Sequence, residues 1–175
     1  MDSCSKVIIT AAEQKQFMDC LLVSAKDVVV GDPAEKGTAV GPIISKENLE
    51  SFLSIVKENK GYLVFGGKRI VDETTEAGYY VTPAIFAGLP EESELNEMDH
   101  SLPILSVQMV NGLDEAIDHA NDCEFGSSIG IISKDEKVIE RILAEVGSDM
   151  VYVNGMSGAV GTASKADVLN FVRSL

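Results

Sequence analysis

The stretch that decides the fold is "LPILSVQMVNGLDEAIDHANDCEFGSSIGIISKDEKVIERILAEVGSDMVYVN", Leu102–Asn154. Leu102–Val110 is a nearly continuous apolar run, the pattern of a parallel strand buried on both faces. In "NGLDEAIDHANDC", Leu113, Ala116, Ile117 and Ala120 recur at helical spacing. Ser127–Ser133 reads as a strand. The next segment places Val138, Ile139, Ile142, Leu143 and Val146 on one helical face, with Gly147 as the stop signal. Met150–Asn154 reads as a further strand. Strand, helix, strand, helix, strand in succession implies right-handed βαβ crossovers. The fold class expected is α/β, with a mostly parallel sheet flanked by helices.

The preceding half is read outward from this core. "KVIIT" (Lys6–Thr10) is rich in β-branched residues and reads as a strand. The segment after it places Phe17, Cys20, Leu21 and Ser24 on one helical stripe. Gly31–Gly37 is a loop by its Gly and Pro content. Ser45 is an N-cap for a helix whose apolar face is Leu49, Phe52, Leu53 and Val56, with Gly61 expected to end it. Tyr62–Gly67 reads as a short strand and turn. Gly78–Phe86 reads as extended, and Pro83 within it argues for an edge or a bulge. No linker divides the 175 residues, so residues 1–175 are expected to form a single domain.

Composition narrows the function. The net charge of −14 repels nucleic-acid phosphates and anionic lipid, and no basic stripe offsets it. No nucleic-acid partner and no membrane association are expected. No apolar run approaches the roughly 18 residues of a membrane helix. Cys4, Cys20 and Cys123 lie far apart, with neither disulfide-framework nor metal-site spacing. A reducing, cytoplasmic setting without a bound metal is expected. Cys20 and Cys123 read as small core or boundary residues.

Several elements, taken in order, resemble the catalytic domain of the aldehyde dehydrogenase superfamily. They are "VGDPAEKGTAVGPIIS", "GGKRI" followed by "GYYVTPAIF", "DEAIDHANDCEFGSSIGIISKD" and "VGSDMVYVNG". Each is weak alone; their common order and spacing make the set specific. The resemblance implies NAD(P)-dependent oxidation of an aldehyde to an acid. In that chemistry a cysteine thiolate attacks the aldehyde, a hydride passes to the nicotinamide, and a glutamate activates water. An asparagine and a backbone N–H stabilise the oxyanion. The family's nucleotide domain, glutamate and asparagine precede the nucleophile. They are expected to lie outside this chain, so no cofactor is expected to bind to this chain alone; NAD or NADP is implied where a partner supplies the binding domain.

By residue type, Cys4 is the candidate nucleophile. In the family the cysteine sits in "GQ-x-C", several residues before the basic residue that opens a strand. Here "KVII" begins at Lys6, only two residues after Cys4. Cys4 is therefore out of register and near an end expected to fray, and the geometric reading takes it as an ordinary thiol. Aligned on Pro103, the family's "E-x-F-G-P" falls on Asp99, His100, Ser101 and Leu102. Asp99 is the candidate for ribose hydroxyls, Ser101 cannot supply the aromatic wall, and Leu102 replaces the glycine. The alternative for Glu91–Asp99 is an acidic solvated loop, and for His100 and His119 a surface position. Asn121 and Asn154 are expected to fix turns by side-chain hydrogen bonds. Residues 155–175 depart from the family's "P-F-G-G-x-K-x-S-G". Their end resembles the strand that pairs with a neighbouring subunit, so they are a candidate oligomerisation segment, or a helix end packed on its own domain.

Three functional readings follow. The first is a truncated or diverged aldehyde dehydrogenase-like protein, inactive alone. The second is the catalytic-domain half of a split aldehyde oxidoreductase, completed by an NAD-binding partner chain. The third is a homo-oligomeric module that binds a small ligand.

Overall fold

The computed structural model describes residues 4–72, 75–76, 78–97, 101–122 and 128–155. They fall into two compact units, divided near Val110, with Cys4 grouped with the later unit.

The earlier unit, Ser5–Met109, is built on a four-stranded sheet. Its strands are β1 (Lys6–Thr10), β2 (Leu63–Phe65), β3 (Ala84–Ala87) and β4 (Ile104–Val110), in the order β1-β4-β3-β2. The apolar run Leu102–Val110 supplies β4, an inner strand, as its composition demands. β3 and β4 pair in parallel, whereas β2 joins β3 antiparallel. Pro83 stands just before β3, which is an inner strand and not an edge. The irregularity that a proline requires is present: the β2–β3 register shifts between Leu63 and Phe65. Pairing resumes on the far side, where Thr82 donates its N–H to the Lys68 carbonyl at 2.8 Å. Gly66, at φ +69°, makes this passage possible. A Cβ there would lie 1.7 Å from the Pro83 carbonyl oxygen.

Helix α1 (Gln14–Lys26) carries the expected stripe, but none of its residues is buried. Helix α2 (Lys46–Glu58) begins where expected, with Ser45 Oγ accepting the Asn48 N–H at 3.2 Å. It ends earlier than Gly61. Asn59 closes it by donating its side-chain amide to the Ile55 carbonyl, and a 3₁₀ turn over Lys60–Tyr62 follows. Leu49 and Phe52 of α2 enter a core with Ile43, Val81, Ala84, Phe86, Leu95 and Ile104. Phe52 and Phe86 are fully enclosed, and burying each contributes about 2–3 kcal/mol.

The later unit contains α4 (Leu113–Asn121), β5 (Ser128–Ile131), α5 (Glu136–Glu145) and β6 (Met150–Val153). β5 and β6 pair in parallel across α5, giving the expected βαβ unit. Among the described residues they form a sheet of their own, so the crossover expected between β4 and β5 joins strands of different sheets. Ile139, Leu143 and Val146 pack against Ile131 and Val151, the alternating faces of one helix and two strands. Asp135 caps α5 by accepting the Lys137 N–H. No helix of the described residues is long and apolar enough to cross a membrane.

Candidate functional site

Cys4 is an exposed thiol that immediately precedes Ser5. The Ser5 carbonyl accepts the N–H of Ser106 at 2.9 Å, and Ser106 is fully buried in β4. The backbone next to Cys4 is therefore tied to the middle of the sheet, and the expectation of a frayed end is corrected at Ser5. β1 begins at Lys6, as the sequence implied. Cys20 is also an exposed thiol, on α1, and not the core or boundary residue expected. Phe17 and Leu21 of the same stripe are only half-buried.

The second candidate region turns into β4. Ser101 adopts φ +50° and is exposed, whereas Leu102 packs on the core of the earlier unit. The Pro103 carbonyl then accepts the Ala84 N–H at 2.9 Å, which aligns β4 with β3. Leu102 thus has a packing role where the resemblance places glycine. Asp99 and His100 lie outside the described residues, so the ribose contact proposed for Asp99 has no geometry here. In the approach to this turn Glu91, Glu92 and Glu94 are exposed, as a solvated acidic segment requires, but the segment is not all loop. It holds α3 (Glu94–Glu97), with Leu95 and Asn96 buried. Asn96 donates its side-chain amide to the Pro90 carbonyl at 2.9 Å. No local periodicity signalled this burial, because a single helical turn is too short to show one.

The two asparagines act as expected. Asn121, the last residue of α4, donates to the Glu145 carbonyl at 3.0 Å and accepts the Gly147 N–H at 2.8 Å. It thereby satisfies groups that the end of α5 leaves open. Asn154, at φ +51°, accepts the Ser133 N–H at 3.0 Å and donates to the Ser133 carbonyl at 2.8 Å. These bonds join the ends of β5 and β6. His119 is buried and not a surface residue. It lies on the core side of α4, one helical turn from Glu115, whose carboxylate approaches its Nε2 at 3.9 Å. Arg141 of α5 binds both Asp114 and Glu145, which raise the affinity of its guanidinium for its proton, Glu145 more than Asp114. That cluster is exposed and joins α4 to α5. Sequence reading missed it because Asp114 and Arg141 are 27 residues apart.

Among the described residues no group of three or more His, Cys, Asp or Glu could hold a metal ion. Cys123 and residues 156–175, most of the candidate oligomerisation segment, lie outside the described residues. Of the positions that the resemblance assigns to a nicotinamide cofactor, the described ones hold an exposed serine at 101 and a packed leucine at 102, which do not fit an aromatic wall.

Comparisons with known proteins agree with this architecture. The family description "Aldehyde dehydrogenase family" matches residues 2–165. Alpha-ketoglutaric semialdehyde dehydrogenase of Bacillus subtilis is 30% identical over 159 residues, covering 89% of this chain and 33% of the relative. Aminoaldehyde dehydrogenase 2 of Solanum lycopersicum is 32% identical over 153 residues, covering 86% and 30%. A solved NAD-dependent aldehyde dehydrogenase from Sinorhizobium meliloti superposes with a TM-score of 0.80 at 25% identity, covering 92% of this chain and 33% of that one. A solved 3,6-anhydro-L-galactose dehydrogenase in complex with NAP gives 0.82 at 25% identity, covering 89% and 33%. The chain thus spans about a third of the length of the relatives it matches.

Proposed function

The chain belongs to the aldehyde dehydrogenase family, and from that premise we propose that these 175 residues are a diverged catalytic-domain stretch that does not oxidise aldehydes by itself. The observation that carries this reading is the start of β1 at Lys6, two residues after an exposed Cys4. The resemblance requires a longer segment between nucleophile and strand. A thiol displaced along the chain by even one residue misses the near-attack geometry that covalent catalysis needs. Ser101 and Leu102 support the same reading, since they replace an aromatic wall and a glycine with an exposed hydroxyl and a packed side chain. The family reaction, NAD(P)-dependent oxidation of an aldehyde to an acid, then needs residues from outside this chain.

A second reading, completion by an NAD-binding partner chain, is favoured by α1. Its apolar residues include Phe17, Leu21 and Leu22, none of them buried, and Val23 is 62% exposed. β1 beside it is an end strand of the described sheet. Such a surface gains from being covered.

The test is nicotinamide reduction by the purified chain with a panel of aldehydes, NAD and NADP supplied in turn. The expected result is no aldehyde-dependent reduction, and a Cys4→Ala variant that is indistinguishable. Turnover abolished by that substitution would overturn the proposal. Native mass spectrometry of the protein from its own cells tests the second reading: a heteromer with a nucleotide-binding chain supports it, and a monomer or homo-oligomer alone refutes it.

A further inference from the structure

The chain contains two Asn–Gly pairs, Asn111–Gly112 and Asn154–Gly155. Asparagine is a thermolabile residue, and a following glycine leaves its own backbone nitrogen unshielded by any Cβ. The two pairs are held very differently. Asn154 is clamped through both ends of its side chain, Oδ1 accepting from Ser133 N–H and Nδ2 donating to the Ser133 carbonyl. Its own N–H donates to the Ile131 carbonyl at 2.8 Å. Asn111 is exposed, and its Nδ2 donates at 3.1 Å to Glu115 Oε2, a half-buried carboxylate. The Asn111 N–H reaches the same oxygen at 2.8 Å.

We propose that Asn111 is a site of spontaneous deamidation, and that the fold protects Asn154 from the same reaction. The Gly112 backbone nitrogen attacks the Asn111 side-chain carbonyl carbon. A carbon–nitrogen bond forms, the side-chain carbon–nitrogen bond breaks, and ammonia leaves with the transferred proton. Water then opens the succinimide at either carbonyl, giving aspartate or isoaspartate. No oxidant or reductant takes part. At Asn154 the attack requires the side chain to rotate out of two hydrogen bonds that also hold β5 to β6.

The product changes the start of α4. A carboxylate replaces the Nδ2 donor facing Glu115, so an attractive contact becomes a like-charge one. Isoaspartate also lengthens the backbone directly before Gly112, the residue that caps α4. The modification therefore loosens the first turn of a helix whose far end, Asn121, holds α5.

The experiment incubates the full chain at mildly alkaline pH and 37 °C. Peptides are then mapped by mass spectrometry, and isoaspartate is separated chromatographically. Asn111 is expected to convert about tenfold faster than Asn154, on the strength of the additional hydrogen bond that clamps Asn154. Gly112→Ala should suppress the reaction without disturbing the fold, since a Cβ there meets no heavy atom within 4 Å and φ is −170°. Glu115→Ala should accelerate it by releasing the side chain. Equal or faster conversion at Asn154, an intact Asn111 throughout, or a Gly112→Ala rate equal to the parent would each overturn the proposal.

Discussion

Replacing Asn154 separates two contributions that its structure combines. Asn154→Ala removes both hydrogen bonds to Ser133 and leaves a Cβ-bearing residue at φ +51°. Each bond contributes about 0.5–1.5 kcal/mol net, and the site is exposed enough for water to replace part of it, so the pair is worth about 1–2 kcal/mol. Alanine pays roughly 1 kcal/mol more for the left-handed conformation. Asn154→Gly loses the same bonds without that strain. The expected losses are therefore about 2–3 kcal/mol for alanine and about 1–2 kcal/mol for glycine. Because the chain has two compact units, a global melting curve blends their transitions. Hydrogen exchange at the residue-154 amide, whose bond to the Ile131 carbonyl survives both substitutions, reads the stability of this unit, whereas the Ser133 amide reads the clamp. A loss of about 2 kcal/mol accelerates the residue-154 amide roughly 30-fold if it exchanges through opening of this unit. Equal effects of alanine and glycine would refute the strain argument. An unchanged Ser133 amide in both variants would refute the clamp itself.

Further outcomes follow from the same geometry. Phe52→Ala, in the enclosed core of the earlier unit, should cost about 3–5 kcal/mol by chemical denaturation. Gly66→Ala should cost about 3 kcal/mol or more, from left-handed strain plus the clash with the Pro83 carbonyl, and should speed amide exchange along β2. Ser45→Ala should weaken the start of α2 by about 1 kcal/mol, seen as faster exchange at Asn48. The Glu47 carboxyl is held below its usual value by its own backbone N–H and then by the Ser45 hydroxyl. Its contribution is present above pH 4.5 and is lost as pH falls through its lowered value, so amide exchange in the first turn of α2, corrected for intrinsic pH dependence, should rise only in acid.

Read in order, the chain by itself determined its element types and most of its family identity. α2 and α5 were legible because long stretches repeat one periodicity, β1 from its β-branched residues and β4 from its continuous apolar run. The roles of Asn121 and Asn154 were legible as turn-fixing residues, although their partners were not. The start of β1 at Lys6 was also readable, from those β-branched residues. Tertiary structure alone decided what depends on distance in space. It placed β3 inside the sheet despite Pro83, since Gly66 lets the neighbouring backbone pass close by. It buried His119, Leu95 and Asn96, and left the stripe of α1 uncovered, because burial depends on which other element arrives. It also gave two asparagines with the same following residue different surroundings, one clamped by a strand end and one held by a half-buried carboxylate. A dipeptide states its chemistry; only the fold sets how freely that chemistry can proceed.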